Sequence, residues 1–166
     1  MRSSASWWAR KVRQFRTHLR ARVDPQERAA LAGWLTDPQL ALFDSMHVAD
    51  RRHGLDVVAA LRAGGPADGD LLLAGLLHDS GKGETAVGPR VVYSLGQMYG
   101  PWVWRLGARL PGFEPALDRL RGHAEASARL AEAAACPPRT VDLIRHQDAP
   151  IDLDAGRRLL LADEAN

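Results

Sequence analysis

Cysteine is nearly absent from this chain. Cys136 is the only one, so no disulfide framework forms and a zinc site built on several thiolates is excluded. That usage fits a reducing, cytoplasmic setting. No uncharged apolar run is long enough to cross a bilayer, and the first residues lack the continuous apolar stretch of a secretory signal. The period-two alternation of a half-buried strand is missing too, as are internal repeats and low-complexity linkers. Acidic residues are absent from the first 22 positions, where Arg2, Arg10, Lys11, Arg13, Arg16, Arg20 and Arg22 go unanswered.

What is present describes an ordinary globular chain with an unusual start. At 166 residues and 46% hydrophobic it has the material for one domain with a real core. The net charge is +2, but seven of the 22 basic residues sit in the leader, leaving 15 against 20 acidic residues in a mildly acidic body. Trp8, Val12, Phe15 and Leu19 fall on one helical face with arginines around the back. Residues 1–23 therefore read as a basic amphipathic helix and 24–166 as the domain. The helix suits docking on the domain, or contact through residues 1–22 with a membrane surface or a partner; no nucleic-acid motif accompanies it.

Helix signals recur along the body. Asp24-Pro25-Gln26-Glu27 is a start signal for a helix to Leu35, and Thr36-Asp37-Pro38 opens a longer segment to about Arg62, with a break near His47. Further helices are expected at 68–80, 114–135, 138–147 and 154–165. The 83–111 stretch is rich in Gly and Pro and carries Tyr93, Tyr99, Trp102 and Trp104. It reads as an aromatic insertion with short helices at about 88–96 and 100–109, either a wall over a site or a packed subdomain. The fold class is all-α.

The most informative stretch is Leu71-Leu72-Leu73-Ala74-Gly75-Leu76-Leu77-His78-Asp79-Ser80-Gly81-Lys82. A helix apolar on every side is buried, so it carries His78 and Asp79 into the interior. A buried imidazole beside a buried carboxylate needs partners, and a metal ion satisfies both. Gly81 reads as the residue that ends the helix, freeing Lys82 to point back over the site.

The chain holds six histidines, and four fall into an ordered series with two carboxylates: His53, His78-Asp79, His123, His146, Asp163. Each lies on a separate expected helix, with contexts Arg52-His53-Gly54-Leu55-Asp56, Gly122-His123-Ala124-Glu125, Ile144-Arg145-His146-Gln147 and Leu161-Ala162-Asp163. His18 and His47 have no place in it. This order resembles the HD-domain superfamily of metal-dependent phosphohydrolases over residues 38 to 166. The resemblance implies an HD-domain-like helical bundle in which His53, His78, Asp79 and Asp163 hold one metal, while Asp79 bridges to a second held by His123 and His146. Fe, Mn, Co, Ni or Zn suits imidazole with carboxylate, and a carboxylate can span two cations about 3.5–4 Å apart.

In HD families with a His-Asp-x-Gly-Lys sequence, the lysine matching Lys82 is associated with substrate phosphate. A compact ammonium suits that task, though a lysine after a helix is usually solvated. Asp79 and Lys82 are thus the expected catalytic pair. Glu84 is a candidate for an extra ligand or a supporting acceptor, and Asp50, Arg51 and Arg52 for supporting or anion-binding roles, with solvated charges as the plain alternative. The implied activity is hydrolysis of a phosphomonoester or phosphodiester, with a nucleotide as the favoured small-molecule substrate, by a metal-bound hydroxide. The Gly-Tyr-Pro signature of the cyclic-di-GMP-degrading branch does not follow His123, which disfavours that substrate. Two alternatives stay open: a mixed-valence di-iron oxygenase of the same superfamily, and a non-catalytic sensor or scaffold stabilised by its metals.

Overall fold

The computed structural model describes residues 21–166; the expected stripe of the N-terminal helix lies outside them, and residues 21–24 lead into the first helix without helical structure. Ten α-helices follow in order: α1 (Pro25–Leu31), α2 (Asp37–Ser45), α3 (Val48–Ala63), α4 (Gly69–Leu77), α5 (Val87–Tyr99), α6 (Pro101–Gly107), α7 (Phe113–Arg121), α8 (His123–Ala133), α9 (Pro138–Arg145) and α10 (Ala155–Ala165). A 3-10 turn, Ser80–Lys82, joins α4 to the α5 region, and there is no strand among the described residues. The architecture is an all-α bundle, and no described helix is long and apolar enough to cross a membrane.

The starts of the helices follow the side chains that cap them. Asp24 Oδ1 accepts from Gln26 N at 2.7 Å while Glu27 Oε2 accepts from the Asp24 amide at 3.2 Å, so two otherwise orphaned donors are satisfied. α1 ends at Leu31, earlier than expected, because residues 32–35 tighten into a turn that still buries Leu35. The break near His47 is real: α2 stops at Ser45, and His47 caps α3 by accepting from Ala49 N through Nδ1 at 3.2 Å.

The core forms around α4. Leu71, Leu73, Ala74, Leu76 and Leu77 are all buried, and the helix lies among α3, α9 and α10. Each leucine buried there contributes about 1.5–3 kcal/mol.

One expected helix is two. The stretch from Glu114 to Ala135 is divided at Gly122, which leaves helical geometry at φ −99°, ψ 11° and closes α7 with a bond from its amide to Asp118 O at 3.0 Å. Glycine is the poorest helix former after proline, so the run gives way there. His123 consequently opens α8 instead of standing mid-helix.

Candidate metal centre

Two glycines bring the helices of the site together. At Gly54 a Cβ would stand 2.4 Å from Leu76 O, so only a residue without one lets α3 cross α4 at this distance. The neighbouring His53 ring then reaches His78, with centroids 5.2 Å apart in an edge-on arrangement. Gly81 performs the same service against α8, where a Cβ would stand 2.5 Å from both His123 O and Ser127 N. Its amide donates to Ser127 Oγ at 2.8 Å. This corrects its expected role: α4 is already closed at His78, and Gly81 is a packing residue, not the helix terminator.

Three of the histidines share a posture. His78 Nδ1 donates to Gly75 O at 2.9 Å, His123 Nδ1 to Leu120 O at 2.8 Å, and His146 Nδ1 to Asp142 O at 3.0 Å. Each accepting carbonyl belongs to the last turn of a helix, and that of Asp142 also accepts from the His146 amide at 3.1 Å. A carbonyl only accepts, so Nδ1 carries the proton in all three rings and Nε2 is the atom left for another partner.

The Nε2 atoms of His78 and His123, with that of His53, converge on the carboxylates. His53 Nε2 is 2.7 Å from Asp163 Oδ1 and 3.9 Å from Asp79 Oδ2. His78 Nε2 is 3.5 Å from both Asp79 Oδ1 and Asp163 Oδ1, and His123 Nε2 is 3.6 Å from Asp79 Oδ1. Among the described residues, His53, His78 and Asp163 offer ligand atoms all within 4.8 Å of one another. Asp79, in the bridge region at φ −99°, ψ 3°, turns one oxygen toward His78 and His123 and the other toward His53 and Lys82.

Charge at the site is unevenly shared. Burial works against ionised Asp79 and Asp163, yet imidazoles around them, and Lys82 beside Asp79, hold both carboxyls far below the usual carboxylate range. Burial also opposes a charged His78, but Asp79 and Asp163 lift it to about 9. His123 goes the other way: burial, then the Lys82 ammonium, keep it below its ordinary value. Lys82 Nζ bonds Asp79 Oδ2 at 2.5 Å and, despite burial, is raised by Asp79 and then Asp50.

A cation fits this donor set. His78 Nε2 and Asp79 Oδ1 are buried with no hydrogen-bond partner. Neutral His123 and ionised Asp79 face each other as two acceptors with no proton between them. Neighbouring ligands about 2.1 Å from one cation stand roughly 3–3.5 Å apart, close to the observed spacings.

The other expected residues divide. His146 is absent from the short imidazole–carboxylate contacts around Asp79; it caps α9, while its neighbour Gln147 donates to His78 O at 3.0 Å and ties that helix end to the site. Glu84 is exposed. Arg52 pairs with Glu27 and Asp56, and Arg51 lies 3.9 Å from Asp44. Asp50 is buried and held by Arg90, a residue that no motif or spacing singles out. Of the insertion's aromatics, Tyr93 and Trp104 stack on each other, 5.8 Å between centroids, and Trp104 Nε1 donates to Tyr93 O at 3.0 Å. The Tyr93 hydroxyl is pushed up by burial and then by Asp148, so it stays a proton donor. Tyr99 and Trp102 face outward.

Comparison with protein-family models, with curated proteins and with solved structures finds no match to this chain.

Proposed function

We propose that the chain is a metal-dependent phosphohydrolase of the HD-domain type, acting on a phosphomonoester or phosphodiester. The observation that carries this reading is the shared posture of His78, His123 and His146, each giving its Nδ1 proton to a helix-end carbonyl. A backbone acceptor behind the ring is how ligating histidines are commonly fixed in orientation and tautomer. His53, His78, Asp79 and Asp163 are the set for one cation; Asp79, His123 and His146 are the set for a second. Bound cations would supply Lewis acidity, acidifying water and neutralising phosphoryl oxygens.

The chain's own groups have distinct tasks in this reading. Asp79 suits a shared position because its two oxygens address different imidazoles. His78 holds at Nε2 the proton that the carboxylates call for, and a cation would displace it. Lys82 keeps its charge at neutral pH and, released from Asp79 by a competing cation, is a point charge for a phosphoryl oxygen. The insertion favours a phosphate group over a stacked base, because Tyr93 and Trp104 are already spent on each other.

The deciding experiment is metal content per chain by elemental mass spectrometry on protein purified without chelator, followed by hydrolysis of p-nitrophenyl phosphate and a nucleotide panel. Bound Mn, Co, Ni or Zn with Lys82-dependent hydrolysis supports the proposal. Two irons with a mixed-valence electron paramagnetic resonance signal and no hydrolysis would overturn it in favour of oxygen chemistry.

A further inference from the structure

The α5–α6 hairpin has two faces with different jobs. Inward, Trp104 stacks on Tyr93 and Gly107 is buried, which fixes α6 against α5. Outward, Tyr99, Trp102, Leu106 and Leu110 are 47%, 56%, 55% and 50% exposed. Trp102 and Leu106 are four residues apart and share one side of α6, and Leu110 follows in the turn that leaves the helix. The Trp102 indole N–H is already satisfied by Tyr99 O at 2.8 Å, which leaves the ring's free surface apolar. Nothing in the bundle explains this row, and contiguous apolar surface of this kind marks a contact.

The row is interleaved with charge of one sign. Arg105 and Arg109 lie between its members, are exposed, and have no acidic partner among the described residues. From Thr85 to Phe113 the sequence contains no Asp or Glu. The occupant must therefore offer apolar depth and negative charge together. The basic leader cannot, since it would bring seven more cations and no acid. A second copy would set Arg105 and Arg109 against themselves, and a nucleic acid has phosphates but no depth for Leu106 and Leu110.

We propose that the exposed side of α6, together with the turn after it that carries Arg109 and Leu110, docks on an anionic phospholipid surface. Trp102 and Tyr99 sit at headgroup level, Leu106 and Leu110 enter the acyl boundary, and Arg105 and Arg109 bind lipid phosphates. The basic leader adds attraction to the same surface. Because Tyr93 and Trp104 tie α6 to α5, this would hold the insertion, and the metal centre beside it, at the membrane face.

The test is sedimentation of the full chain with vesicles of phosphatidylcholine alone or with phosphatidylserine. Binding should be roughly tenfold or more tighter to the anionic vesicles and fall with salt. Trp102→Ser with Leu106→Ser should lose most of it while unfolding at the wild-type temperature, and Arg105→Glu with Arg109→Glu should do the same through charge alone. A leader variant, Arg10→Gln with Lys11→Gln and Arg13→Gln, should weaken binding yet retain its dependence on α6. Equal or absent binding to both vesicle types overturns the proposal, as does wild-type binding by both α6 variants. So does a dimer in sedimentation velocity that Leu106→Ser converts to monomer, which would assign the face to a second copy.

Discussion

Arg90 meets Asp50 end-on: Nη1 donates to Oδ1 and Nη2 to Oδ2, both at 2.7 Å. The same guanidinium donates to Thr85 O at 3.1 Å and Gly83 O at 3.4 Å. One side chain on α5 therefore joins the loop after Lys82 to the helix that carries His53, one turn beyond Asp50. Removing either partner of a buried pair leaves an uncompensated charge, which costs about 3–5 kcal/mol. Asp50→Ala and Arg90→Ala should each lose that much in urea unfolding, and Asp50→Leu with Arg90→Leu should recover part of it. Equal stability of all four proteins would refute the brace.

Gly54→Ala places a methyl against Leu76 O, a backbone atom that cannot rotate away. Overpacking of this kind costs about 1–3 kcal/mol. The expected outcome is a lower unfolding temperature together with weaker Mn(II) binding by calorimetry, because α3 must move off α4 and take His53 with it. Weaker binding should be absent in Gly33→Ala, whose added methyl would meet only Ala30 O at 3.4 Å.

His78→Ala and Asp79→Ala should each purify without metal and without phosphatase activity. Asp79 Oδ1 faces His78 and His123 while Oδ2 faces His53, so in the proposed arrangement its loss should empty both cation positions. Wild-type metal content in Asp79→Ala, measured by elemental mass spectrometry, would sink the shared-carboxylate arrangement.

Chelated protein should show two pH limits to its stability. Asp79 and Asp163 are held below the ordinary carboxylate value of 3.8, so their contribution is present above it and lost as pH falls below it. His78 is raised from 6.5 to about 9, so its contribution is full below 6.5 and lost as pH rises through 9. Denaturant midpoints of chelated protein should thus decline on both sides. Saturating Mn(II) should remove the upper decline, since the cation takes the proton's place.

Much of the frame was legible because it is written in local chemistry. Asp24 with Glu27 and Thr36 with Pro38 announce their helices within four residues, and the apolar run of α4 announces its own burial. The break at Gly122 was not, because one glycine costs a helix only about 1 kcal/mol and the alanine-rich run around it argued the other way. The Arg90–Asp50 pair spans 40 positions, and no spacing rule reaches that far. The chain order of the site histidines could be read, but not their attachment: that His78, His123 and His146 are each anchored by a helix-end carbonyl depends on where α4, α7 and α9 stop.

His53 and Asp163 are bonded across 110 residues of chain. On a ribosome, His53, His78 and Asp79 emerge long before Asp163 does, and during that interval the nascent chain has an incomplete set of the proposed ligands. Cation choice would then wait until α10 has docked, with the first of these histidines to be synthesised waiting on a carboxylate 110 residues later.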